Sequence, residues 1–107
     1  MALASEASPS YRNSIAPWLS VRNGSQAVEF YKSAFSAREV YRLDGPAGSV
    51  VARLSVDGGE FWLSDESPEH SNFSPETVGG TSVRLILTVA DPDAIFAQAL
   101  KAGSSPK

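Results

Sequence analysis

The sequence predicts an α+β fold, a β-α-β-β-β module followed by the strand and helix of a second, incomplete module. Three observations lead there. "VRNGSQAVEFYKSAF" (residues 21–35) is echoed by "VADPDAIFAQALKAG" (residues 89–103), so that Val21 answers Val89, Asn23 answers Asp91, Ala27 answers Ile95 and Val28 answers Phe96. A repeat of that kind marks a duplicated supersecondary unit. Between the copies lie short runs rich in β-branched and aromatic residues, separated by the turn signals "DGPAG" and "DGG". Lastly, the second copy reaches only Lys107, whereas the first continues through three strands, so a full second copy asks for about 25 to 30 more residues.

Each element has its own signal. Ser14 to Val21, "SIAPWLSV", mixes apolar, aromatic and β-branched residues and reads as a strand, with Pro17 placing it near a sheet edge or at the start of a pairing. Asn23 can cap the following helix, and Gln26 stands three residues on, as in a capping box. Ala27, Val28, Tyr31, Ala34 and Phe35 recur at helical spacing, which predicts an amphipathic helix from Gly24 to about Ser36. Strands are expected at Glu39–Leu43, Ser49–Val56 and Glu60–Ser64, the last two joined by a tight hairpin at Asp57-Gly58 or Gly58-Gly59. Asp65 to Gly80 is rich in Pro, Ser and Gly and reads as a linker. "TSVRLILTV" (Thr81 to Val89) is a further strand. In the helix after it Asp91 is the cap, Pro92 the first helical residue, Ile95, Phe96, Ala99 and Leu100 the buried stripe, and Gly103 the terminating residue.

The bulk properties suit one soluble domain: 107 residues, 42% hydrophobic and 20% charged. The expected organisation is a flexible tail over 1–13 and a single domain over 14–107, with the first module at 14–66, a linker at 67–80 and the partial second module at 81–104. A net charge of −3 argues against broad binding to nucleic acid or anionic lipid. The expected partners are therefore a small-molecule ligand and another copy of the chain, with no nucleic acid and no membrane. The chain has no cysteine, which excludes disulfides and thiolate metal sites. The N-terminal stretch lacks the basic and apolar regions of a signal peptide, so the expected location is the cytoplasm.

The duplicated β-α-β-β-β plan, with "AVEFYKSAFSAREVYRLDGPAG", "LSDESPEHSNFSPETVGGTSVRL" and "DAIFAQALKAG", resembles the vicinal oxygen chelate superfamily of glyoxalase I, extradiol dioxygenases and bleomycin and fosfomycin resistance proteins, and within it the PhnB-like branch. The resemblance runs from about Ile15 to Gly103. It implies a glyoxalase/bleomycin-resistance-like fold and, in the family's enzymes, a divalent metal. The family's ligand positions fall here on Ala16, Arg53 and Arg84, and the fourth lies in a final strand that the sequence does not contain. Alanine offers no donor atom and a guanidinium repels a cation, so neither a metal site nor any other cofactor is expected. His70, beside Asp65, Glu66 and Glu69, is more simply a residue of a solvated loop than a metal ligand.

If those positions face the family's cavity, strand alternation sorts the rest. Trp18, Ser20, Val51, Arg53, Ser55, Trp62, Ser64, Arg84, Ile86 and Thr88 share the cavity face. Leu19, Val21, Ala52, Leu54, Val56, Leu85, Leu87 and Val89 face the helices, and Phe61 and Leu63 go to the core. The candidate ligand-binding set is Trp18, Ser20, Arg53, Trp62, Ser64, Arg84 and Thr88, two indoles and two guanidiniums among hydroxyls, suited to a planar or anionic small molecule. Against this stands the plainer reading that Arg53 and Arg84 pair with Glu60, Glu39 or an acid of a partner subunit, and that the tryptophans are core or interface residues. No nucleophile constellation is present: there is no Cys, one His in the linker and no serine in a nucleophile-elbow setting. Three functions remain open: a metal-free binding protein, a metal-dependent glyoxalase-like lyase or dioxygenase with a site assembled across a dimer, and a structural or interaction module. The unpaired sheet edge of the short second copy makes a homodimer the expected assembly.

Overall fold

The computed structural model describes residues 13–105; the expected tail over 1–13 lies outside the described residues except for Asn13. The first corner is set by Asn23, whose Oδ1 accepts the Gln26 N–H at 3.1 Å and starts α1 (Gly24–Phe35) immediately after β1 (Trp18–Val21). β1 is shorter than the expected Ser14–Val21. Its pairing begins where the Pro17 carbonyl accepts the Trp62 N–H at 2.8 Å, and Ile15 stays almost fully exposed. Ser36 ends α1 in the left-handed region at φ 58°, its N–H returning to the Tyr31 carbonyl.

The chain then runs through β2 (Arg38–Asp44), β3 (Val50–Val56) and β4 (Gly59–Asp65). The strand order is β1-β4-β3-β2, with β1 parallel to β4 and the other neighbours antiparallel. The hairpin loop is Asp57-Gly58, since Val56 pairs with Gly59. Both loop residues have positive φ, 50° and 93°, as the right-handed twist of a two-residue hairpin demands.

One sheet face carries the core. Val28 of α1 packs with Ala37, Val50, Ala52, Leu54, Phe61 and Leu63, and Leu19, Val21, Ala27, Tyr31 and Val56 close around them. The alternation expected for β1, β3 and β4 therefore holds: their apolar row lies under the helix, and the Trp18–Arg53–Trp62 row is on the opposite face. Tyr31 meets Phe61 edge to face at 5.1 Å, and its burial raises the phenol above its ordinary pKa.

The segment between the modules is more ordered than its composition suggests. It forms a 3₁₀ turn at Pro68–His70, an isolated bridge between Ser67 and Asn72, and the short helix α2 (Pro75–Val78) capped by Ser74. Ser74 is fully buried.

The expected strand Thr81–Val89 does not form; residues 83–89 have no regular structure. The reason is pairing, not composition. By the repeat, this segment is the counterpart of β1, and β1 is held by the ladder it makes with β4. Both edges of β4 are already taken by β1 and β3, and the described residues contain no second β4. The helix after it does form, as α3 (Pro92–Lys101), with the Asp91 side chain accepting the Ala94 N–H at 3.1 Å and Gly103 at φ 110°. It packs on α1, where Gln98 Nε2 donates to the Ser33 and Ala34 carbonyls at 3.0 and 2.9 Å. Its expected stripe is only half buried: Ala99 is enclosed, while Phe96 and Leu100 remain 54% and 38% exposed because the described residues form no second sheet beneath them.

Candidate functional site

The parallel register of β1 and β4 places Trp18 directly beside Trp62. Adjacent strands stand about 4.8 Å apart, so two indoles on one face at one level must stack. Their centroids are 5.3 Å apart and their planes 11° from parallel. Trp18 Nε1 donates to Ser64 Oγ at 2.9 Å, which fixes the ring's rotation with one of the few buried hydroxyls of this face.

On the other side, β3 sets Arg53 opposite Trp62, with the guanidinium carbon 5.2 Å from the indole centroid. Arg53 Nε also donates to Glu60 Oε1 at 2.5 Å. The plainer reading of Arg53 is thus what the structure contains: its charge is balanced by an acid on the same face, one position diagonally across the hairpin. Tyr41 of β2 faces Arg53 in register and meets Trp62 edge-on at 5.7 Å. The result is a continuous aromatic platform, Trp18–Trp62–Tyr41, with Trp18 and Tyr41 about half exposed.

Along the outer edge of β1 runs a groove of about 550 Å³ that takes Trp18 and Ser20 from the platform face and Leu19, Val21 and Tyr31 from the helix face, with Phe73, Val78 and Val83 as its far wall. Ser20 Oγ hydrogen-bonds Asn72 Oδ1, so the loop after β4 is pinned to the platform's edge. Glu66 anchors that loop. Its Oε1 accepts the Ser74 N–H at 2.7 Å and its Oε2 accepts the Thr77 hydroxyl at 2.9 Å, with Arg22 at 3.9 Å. These bonds, the Ser74 amide first, hold the Glu66 carboxyl below the usual glutamate range. A carboxyl depressed in the folded state stabilises above its unfolded pKa, and that contribution disappears as pH falls through the folded value. Acidification below the ordinary glutamate pKa of about 4.3 is expected to loosen residues 67–79 before the sheet melts. Glu66→Gln is expected to do so at pH 7, read as faster amide exchange at Ser74 and Thr77; unchanged exchange would show that Glu66 is not the anchor.

The seven residues of the candidate set separate into two groups. Trp18, Ser20, Arg53, Trp62 and Ser64 lie together on one sheet face. Arg84 and Thr88 stand on the exposed, unpaired segment and make no hydrogen bond or ion pair with the others. Glu60, expected as a pairing partner of Arg53, joins the first group on the even-numbered face of β4. Tyr41 and Asn72 lie outside the candidate set. Tyr41 was not within reach, because a register shift between Glu39 and Tyr41 resets the alternation of β2. Asn72 arrives from a loop, where no periodicity applies.

The residues at the metal positions of the resembled superfamily do not fit a divalent ion. Where a carboxylate is implied on β3 there is the Arg53 guanidinium, engaged with Glu60 and Trp62. Among the described residues no three His, Cys, Asp or Glu side chains gather to hold a metal. The acids around His70 are turned elsewhere: Asp65 accepts the Val50 N–H at 3.0 Å, Glu66 holds Ser74 and Thr77, and His70 Nδ1 meets Ser67 Oγ at 2.7 Å. No helix among the described residues is long and apolar enough to cross a membrane.

No protein-family model matches the chain. It is 38% identical to an uncharacterised protein of Mycobacterium bovis over 85% of its own length and 62% of the relative's, and equally similar to a Mycobacterium tuberculosis protein of which it spans 56%. The chain thus spans roughly three fifths of the curated relatives it matches. A gene product of Arabidopsis thaliana has a similar structure, with TM-score 0.67 and 27% identity over 87% of this chain and 75% of that one. TioX from a Micromonospora species gives TM-score 0.58 and 23% identity over 85% and 71% of the two chains. The fosfomycin resistance protein FosX of Mesorhizobium loti gives 0.57 and 16% over 87% and 71%. The chain has the α+β, glyoxalase/bleomycin-resistance-like fold, with fosfomycin resistance proteins among its structural neighbours.

Proposed function

We propose that this chain is a metal-free, small-molecule-binding member of the vicinal oxygen chelate superfamily, in its PhnB-like branch, acting as a cytoplasmic homodimer. The observation that carries the ligand reading is the stacked Trp18–Trp62 pair, with Trp18 half exposed at the edge of a groove along β1. A half-exposed indole held rigid by its stack and by Ser64 is pre-organised to receive a flat ring at small entropic cost. Of the two ligand classes expected from the sequence, planar is favoured over anionic, since the Arg53 charge is already met by Glu60. Trp18, Ser20, Trp62, Ser64 and Arg53 form the floor and edge of the site. Arg84 and Thr88 contribute only in an assembly that brings residues 81–89 over that face.

Both tryptophans of the chain belong to the platform, so intrinsic fluorescence reports on it directly. Titration with flat heteroaromatic compounds is expected to give saturable quenching that a chelator leaves unchanged and that Trp18→Ala weakens about tenfold, or ~1.4 kcal/mol. The absence of saturation with every planar compound up to ~1 mM, the weak end of specific binding, would overturn the reading.

A further inference from the structure

Phe73 is an aromatic residue whose two neighbours are fixed while it is not itself enclosed. Before it, Asn72 Oδ1 accepts the Ser20 hydroxyl of β1, and the Asn72 backbone exchanges hydrogen bonds with Ser67 at 3.0 and 2.7 Å. After it, Ser74 is fully buried and donates its N–H to Glu66 Oε1 at 2.7 Å. The chain thus has little freedom on either side of a residue that remains 44% exposed. A phenyl ring left in water contributes little to folding, since the apolar gain comes from area removed from it.

Trp18 is in the same condition. Trp62 covers one of its faces at 5.3 Å and Ser64 fixes its Nε1, yet it is still 53% exposed. Both rings line the groove along β1, Trp18 from the strand and Phe73 from the loop.

The groove is also uncharged. Among the described residues, no Asp, Glu, Lys, Arg or His lines it. Arg53 is too far away to supply a charge. The strand order β1-β4-β3 sets Arg53 and Trp18 on opposite sides of Trp62, at 5.2 and 5.3 Å from it. The guanidinium is therefore on the order of 10 Å from Trp18, about one Debye length, and it is already engaged by Glu60. A charged ring entering the groove would lose hydration without meeting a counter-charge.

We infer that Phe73 is a second ring-binding residue: Trp18 and Phe73 take a flat, uncharged aromatic ring between them, and the anchors at Asn72 and Ser74 hold Phe73 ready for it. Two aromatic surfaces fixed beforehand bind a ring with little further loss of freedom. The inference rests on the planar-ligand reading above and narrows it to an uncharged ring lodged in the groove, away from Arg53.

Coumarin and coumarin-3-carboxylate are flat bicyclic probes that differ by one negative charge at neutral pH. Titrated into the full chain and followed by tryptophan quenching, coumarin is expected to saturate and the carboxylate to bind about tenfold more weakly. Phe73→Ala and Phe73→Leu are each expected to weaken coumarin about tenfold, and Phe73→Tyr to retain it. Amide exchange at Ser74 and Thr77 is expected to keep the parent rate in all three, which separates loss of the ring from loss of the loop. Full affinity in Phe73→Leu, or weakening only where that exchange has quickened, overturns the assignment by reducing Phe73 to a support of the loop. Tighter binding of the carboxylate than of coumarin overturns it by drawing the ring to a cation. Either result leaves the planar-ligand reading standing when Trp18→Ala still weakens coumarin. If no planar compound saturates, both fall together.

Discussion

Trp62→Ala is expected to lower stability by about 2–3 kcal/mol and to remove ligand binding, the largest combined effect of any single change on the platform. Trp62 is the only residue that touches all its other parts: it stacks on Trp18 at 5.3 Å, takes the edge of Tyr41 at 5.7 Å and lies under the Arg53 guanidinium at 5.2 Å. Its removal leaves Trp18 without a stacking partner and Arg53 held by Glu60 alone. At about 4–8 °C per kcal/mol for a domain of this size, the melting midpoint should drop by some 10–20 °C. Circular dichroism melts check the first part and quenching of the remaining Trp18 the second. A variant that melts with the parent protein would mean that the platform contributes nothing to the fold and is not held as described.

Gly24→Ala is expected to cost about 2 kcal/mol, although alanine is the better helix former. A methyl group at this position would fall on Asp65 Oδ1 and 2.6 Å from Val50 Cγ1, closer than real Cβ contacts come. Asp65 cannot simply turn away, because its Oδ1 accepts the Val50 N–H at 3.0 Å and satisfies a buried amide at the start of β3. Either the first turn of α1 lifts from the sheet or that bond is lost. Gly80→Ala is the matched control, since its added methyl meets nothing within 4 Å and should leave stability within ~0.5 kcal/mol. Urea unfolding of the two variants side by side gives the comparison. Equal midpoints would show that the α1–β4 approach yields without cost.

The first corner shows why part of this fold is legible in the sequence. Asn23 before a helical stripe, and Asp57-Gly58 between alternating strands, are local signals whose geometry needs only a few neighbouring residues, and both appear as expected. Alternation carries equally far: once β3 and β4 are joined by a two-residue loop, period two assigns Arg53, Trp62 and Ser64 to one face and Ala52, Leu54, Phe61 and Leu63 to the other. Thr81–Val89 shows the limit. Its composition is as strand-like as that of β3, yet a ladder is a property of two segments, and the sequence states a preference without supplying the partner. Phe96 and Leu100 are exposed for the same reason, since an amphipathic stripe is buried only where a second surface exists.

By itself, then, the sequence determined the order of elements from β1 to β4, the caps of α1 and α3, the tight hairpin and the side of the sheet on which the two tryptophans lie. Only the tertiary structure decided that those tryptophans stack, that Glu60 neutralises Arg53, that Asn72 and Tyr41 complete the platform, and that Arg84 and Thr88 stand apart from it. The division has one physical cause. Caps, turns and alternation depend on residues within a few positions of one another, whereas stacking, ion pairing and strand partnership depend on which segments meet in space, and that is set by the parallel β1–β4 register and by the edges the sheet leaves free.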